Sequence, residues 1–281
     1  MNRETLSLHP APHPNRSSSL SDLGSVLSTR FHRTGSMADF EEATSMLRES
    51  LSLIPTTDPR RSFSLGSLGG LFMEHFAITS SMFELEEAIL LHRESLSLCP
   101  TSHPSRFILL NNLANALFKH FRHTGLMTDL HEVILLRHEA LSLCPTYHTD
   151  HSGTLYSLAC TLLDHFRQTG SVTDLEEAIL LHRESLSFRP TPHPDRSYSL
   201  NGLACVLGDH FRKTDSMADL EEEISMLCEA LSLDSATTHR HRLLFLKNLA
   251  FILNARFEEN GIQSDFEEAA SLRREILAMS K

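Results

Sequence analysis

No apolar run in the chain approaches the roughly 20 residues needed to cross a bilayer, so a membrane span is not expected. The first residues, Met1-Asn2-Arg3-Glu4-Thr5-Leu6-Ser7-Leu8, lack the apolar core of a secretory leader. Asn15-Arg16-Ser17 is therefore a glycosylation sequon in spelling only. None of the five cysteines forms a Cys-x-x-Cys pair, and their number is odd. Reduced thiols in the cytoplasm or nucleus fit this usage, and the cytoplasm is the expected compartment. Basic excess is also missing. The formal net charge is −11, which argues against a nucleic-acid backbone as partner, because such binding needs a basic face.

Chemistry is equally sparse. No Gly-x-x-x-x-Gly-Lys-Ser/Thr loop is present, so no nucleotide site is expected. His131-Glu132 opens like a His-Glu-x-x-His zinc motif, but residue 135 is leucine. His75, His120, His165 and His210 recur one repeat apart, too far from one another to share an ion. They read as polar groups near helix C-termini, where positive charge is favoured. Cys160 and Cys205 sit among ordinary repeat residues, with no histidine arranged to activate them. The expectation is a non-enzyme without cofactor or metal.

What the chain does have is a period. Pro10, Pro55, Pro100, Pro145 and Pro190 fall every 45 residues, and Phe31, Phe76, Phe121, Phe166 and Phe211 keep the same step. A fixed period of this size marks a solenoid, whose units bury their apolar faces against neighbours. Each unit holds two helix patterns. In the first unit Leu20, Leu23, Val26, Leu27 and Phe31 form one apolar stripe, and Phe40, Ala43, Leu47, Ser50, Leu51 and Ile54 form another. Between them Gly35 is a helix stop and Ser36 an N-cap. Ser36 with Asp39, Ser81 with Glu84, Ser171 with Asp174 and Ser216 with Asp219 have capping-box spacing.

Two further patterns carry expectations. Glu4, Glu49, Glu94, Glu139, Glu184 and Glu229 each precede by 12 residues a basic residue: Arg16, Arg61, Arg106, His151, Arg196 and His241. This predicts ion pairs that staple one repeat to the next. Glu223 stands where other units have Ala43, Ala88, Ala178 and Ala269. A carboxylate in that close-packed slot should be displaced outward, or open the packing around it, because burying it unpaired is costly.

The first helices read Leu20-x-x-Leu23-Gly24-x-x-Leu27, with equivalents such as Leu110/Leu113/Ala114/Leu117 and Leu200/Leu203/Ala204/Leu207. The second helices read Ala43-x-x-x-Leu47-x-x-Ser50-x-x-x-x-Pro55. Together these resemble the tetratricopeptide repeat, with leucine at the two aromatic positions of its first helix. The unit is longer than the usual 34 or so residues and is similar to the kinesin-light-chain-like arrays of fungal multi-repeat proteins. The resemblance implies an all-α, right-handed α-solenoid superhelix of antiparallel helix hairpins. Counting places a half repeat at 1–14 and hairpins at 15–54, 60–99, 105–144, 150–189, 195–234 and 241–280 in one array over 1–281. No polar terminal cap is evident, so an excerpt of a longer array, able to self-associate through its ends, is expected.

The resemblance also implies a concave face lined by first helices that binds a peptide or protein. Carried over position by position, its candidate residues are Asn111, Asn112, Asn115, Lys119, Tyr156, Asn201, Lys247 and Asn248. An amide side chain both donates and accepts, so it can hold a peptide's main chain without reading its sequence. The alternative expectation is a regulatory fragment of a larger protein whose nucleotide-binding or caspase-like domain lies elsewhere.

Overall fold

The computed structural model describes residues 9–10, 13–233 and 239–279, apart from the side chains of 239–241. The half repeat at 1–14 lies largely outside the described residues, as do the side chains of Glu4 and His241. Among the described residues there are twelve α-helices and no strand. They pair in order as antiparallel hairpins: α1 (Arg16–Thr34) with α2 (Met37–Ser52), α3 (Arg61–Thr79) with α4 (Met82–Leu98), and α5 (Arg106–Thr124) with α6 (Met127–Leu143). Then follow α7 (His151–Thr169) with α8 (Val172–Ser187), α9 (Arg196–Thr214) with α10 (Met217–Leu233), and α11 (His239–Asn260) with α12 (Gln263–Met279). This is an α-solenoid. The chain divides into two compact units, 1–144 and 145–281, each holding three hairpins.

The apolar stripes make the core. Leu20, Leu23, Leu27, Phe31, Ala43 and Leu47 are buried in hairpin one, and the same slots are filled by Leu65, Leu68, Phe72, Phe76 and Ala88 in hairpin two. Val26 is the exception, half exposed on the far side of α1. Packing is tight where Gly24 faces Leu47: a Cβ on that glycine would lie 2.7 Å from the leucine side chain. Gly35, Gly125 and Gly170 end first helices in the left-handed conformation, with φ of 67°, 73° and 75°.

Three of the four capping boxes do not form. Ser36, Ser81 and Ser171 make no side-chain cap bond. The acid three residues on is taken instead by an arginine or histidine at the end of the preceding helix. Arg30 pairs with Asp39, His75 with Glu84, His120 with Asp129, His165 with Asp174, His210 with Asp219 and Arg256 with Asp265. Each pair spans nine residues and closes the tight turn of one hairpin. The recurring histidines are thus hairpin clasps rather than bare helix-end groups.

The Glu–Arg ladder is present with different partners. Arg16 binds Glu49, Arg61 binds Glu94, Arg106 binds Glu139, Arg196 binds Glu229 and Arg242 binds Glu275. Each arginine takes the acid 33 residues ahead, in its own hairpin, and Arg61, Arg106 and Arg196 do so in preference to the acid 12 residues behind. An antiparallel hairpin sets the start of its first helix beside the end of its second, which fixes this choice. The same arginines do reach the preceding repeat, but through carbonyls: Arg61 donates to Leu51 and Ile54, and Arg106 to Leu96 and Cys99. These are orphan acceptors at a helix C-terminus. His151, at the equivalent place in hairpin four, packs edge-on against Phe188. Ion pairs between successive second helices come from another series, Arg48–Glu87, Arg93–Glu132 and Arg183–Glu222.

A mutation pair separates these roles. Arg106→Ala removes the ion pair and both carbonyl contacts and should cost about 2 kcal/mol, since bonds to charged groups are the stronger ones. Glu139→Ala removes only a half-exposed ion pair and should cost below about 1 kcal/mol. Equal losses in urea unfolding would show that the carbonyl contacts contribute nothing.

Candidate protein-binding face

In the first unit a pocket of about 730 Å³ opens between α3 and α5, closed at one end by the turn that joins hairpins two and three. Its apolar walls are Phe63, Ile108 and Leu109, with Pro100 in that turn and Pro59 in the turn that precedes α3. Phe63 and Ile108 occupy the same slot one repeat apart, off the buried stripe, and Phe63 remains 58% exposed. Gly66 has no side chain to fill the space, and Leu109 sits 3.7 Å from where its Cβ would be. Polar lining comes from Ser62, Ser67, His103, Ser105 and Asn112. No carboxylate lines the pocket, and the Arg60 guanidinium at its rim is bound by Asp58 at 2.6 Å. An open, largely apolar pocket of this size is suited to a bulky side chain or small apolar group.

Of the sequence candidates, Asn112 is the one in this pocket wall, half-buried and with no side-chain hydrogen bond among the described residues. Asn111 is half-buried beside it in sequence but is not part of the lining. One turn on, Asn115 accepts a 3.0 Å hydrogen bond from Arg137, whose buried guanidinium stacks 5.0 Å over Phe118. Lys119 lies 5.9 Å over the Phe76 ring.

The second unit treats its candidates differently. Asn248 donates to Asn201 at 2.9 Å, and both amides approach the Cys205 sulfur at 3.9 Å. The two amides therefore satisfy each other. Tyr156 is packed edge-on against His182 at 5.2 Å and beneath the Arg189 guanidinium at 5.6 Å. Burial raises its phenol far above the ordinary range. Gly202 makes this possible, because a Cβ there would lie 2.7 Å from Tyr156 and 2.8 Å from His182. Lys247 is exposed. Sequence reasoning singled out the asparagines and missed Phe63 and Ile108. The available signal was large apolar side chains recurring at one step outside the buried stripe, as Phe63, Ile108 and later Tyr198 do.

Among the described residues no group of three or more His, Cys, Asp or Glu side chains is placed to hold a metal ion. No described helix is long and apolar enough to cross a membrane.

The tetratricopeptide repeat family pattern matches residues 152–195. A search of curated protein sequences finds no match. Among solved structures, the kinesin-light-chain-type TPR-like repeats of Podosopora anserina align at 18% identity and TM-score 0.54, covering 78% of this chain and 98% of theirs. PilW, a type IV pilus biogenesis factor, aligns at 15% identity and TM-score 0.61 over 92% of each chain. Pseudomonas aeruginosa PilF aligns at 14% identity and TM-score 0.56, over 91% and 98%. At these identities the likeness is one of fold. The matched 152–195 pattern recurs at the 45-residue step along the chain, in helix hairpins packed in the same order.

Proposed function

We propose that this tetratricopeptide-repeat protein is a non-catalytic interaction scaffold that receives an extended peptide, or an exposed segment of a protein, along its first-helix face. That face is the concave one expected from the family resemblance. The observation that carries the reading is the 730 Å³ pocket between α3 and α5. A single apolar side chain of the partner would enter between Phe63 and Ile108, and Asn112 would hold main-chain groups beside it. Arg60 already has its counter-ion, so the pocket adds no charge preference of its own. The buried free thiols Cys99 and Cys144 suit a reducing compartment, and the cytoplasm is the one we assign.

The test is selection from a displayed library of random 12-residue peptides with the full chain, followed by titration of the enriched sequences. The expected result is a shared bulky apolar residue, and affinity at least tenfold weaker for Phe63→Asp and Asn112→Ala. Phe63 is exposed, so folding should survive the substitution. Enriched peptides indifferent to both changes would place binding elsewhere, and a library without enrichment would overturn the reading.

A further inference from the structure

Glu223 does not escape to solvent. It is 6% exposed, inside hairpin five, and its Oε2 has no hydrogen-bond partner. Space for it comes from Gly208 on the facing helix: both carboxyl oxygens lie 2.8 Å from where a Cβ on that glycine would be. The two slots are matched in reverse in other hairpins, which hold Met73 with Ala88, Phe118 with Val133, and Leu163 with Ala178. Hairpin five has moved the large group to the second helix and given it a titratable end.

The surrounding charges offer Glu223 no cation of its own. On α9, Asp209 binds both Arg167 and Arg212 and turns its own negative charge toward Glu223. Cys205, also on α9, contributes a thiol nearby. On the other side α11 presents Leu249, Ile252 and Leu253, and its Arg256 is taken by Asp265 and Glu221. Arg183 of α8 is held by Glu222.

We propose that Glu223 and Gly208 form a proton-operated latch in hairpin five, closed while the carboxyl is protonated and released when it ionises. An ionised carboxylate cannot remain unpaired in that space without a large cost. It would push α10 away from α9 and disturb the first-helix face of the second unit. Burial raises this carboxyl to about 8, with Arg212 opposing and Asp209 adding to the shift. Because the folded value lies above the unfolded one, the contribution to stability is full below 4.5 and is lost as pH rises to about 8. The latch therefore works through the neutral range.

The experiment is urea unfolding of the full chain and of Glu223→Gln from pH 5 to 8.5, with amide exchange to locate the change. The unfolding constant of the wild type should rise by about tenfold per pH unit relative to the variant. Protection factors, which remove the intrinsic pH dependence of exchange, should fall in α9 and α10 relative to the variant while those of hairpins one to three are unchanged. Parallel pH profiles, or a change spread evenly along the chain, would overturn the proposal. Should Glu223→Gln fold poorly, the pair Glu223→Ala with Gly208→Leu restores the arrangement of hairpin four and should be equally insensitive to pH. A slope retained in that pair would also overturn it.

Discussion

Phe31→Ala should cost about 3–5 kcal/mol, the range for removing a buried aromatic ring. That is a large part of the roughly 5–15 kcal/mol that holds a domain together. Phe31 is 1% exposed and packs on Phe40 of its own hairpin, at 5.5 Å, and on His75 of the next, at 6.0 Å. One ring thus closes a hairpin and attaches it to its neighbour. Solenoid stability is close to a sum of hairpin and interface terms, so the loss should not be shared along the chain. We expect amide exchange in α1 and α2 to reach nearly unprotected rates while α5 and α6 stay protected. Val26→Ala, on the exposed face of the same helix, should change stability by under about 0.5 kcal/mol. Equal effects of the two substitutions, or loss of protection in all hairpins together, would contradict this.

The difference between Phe31 and Val26 shows how much the sequence discloses. The 45-residue step made Phe31 legible, because a residue kept at one slot of every repeat is serving every interface. Val26 satisfied the helical spacing and still faces outward, since spacing gives a stripe but not its width. The Glu–Arg ladder shows a sharper limit. A separation of 12 residues forward and one of 33 backward add up to the same 45-residue period. A strictly periodic sequence therefore cannot say whether Arg61 takes Glu49 or Glu94. The antiparallel geometry decides for Glu94. The nine-residue clasps, such as His165 with Asp174, were hidden by a competing reading, because Ser171 with Asp174 also has the spacing of a capping box. At Glu223 the deviant residue was visible, but its complement was not: Gly208 lies 15 residues away on another helix. The pocket at Phe63 depends on the offset between successive first helices, which no single repeat encodes.

His92 and His182 offer the second large effect. They occupy the slot that Leu47 and Leu227 fill in hairpins one and five, and both are buried. His182 has no hydrogen bond at either ring nitrogen, and His92 has none at Nδ1. Burial lowers His92 to about 4; burial and then the nearby Arg189 lower His182 to about 3. In the unfolded chain both would take a proton near 6.5. Their folded values are depressed, so the unfolded chain binds more protons below 6.5. Stability should then fall by about 1.4 kcal/mol per pH unit for each ring as pH drops from 6.5 toward 4. This acid limb is opposite in sign to that of Glu223, and it can be removed separately. Around His92 the packing already has a precedent. Gly69 faces its ring just as Gly24 faces Leu47: a Cβ on either glycine would lie 2.8 Å from His92 and 2.7 Å from Leu47 respectively. His92→Leu should therefore be accepted by the core, remain within about 1.5 kcal/mol of the wild type at pH 7.5, and unfold later in urea at pH 5. Its acid slope should be shallower by one proton's worth, with protection retained in α3 and α4. An unchanged slope would show that His92 is already protonated, or reaches water, in the folded chain.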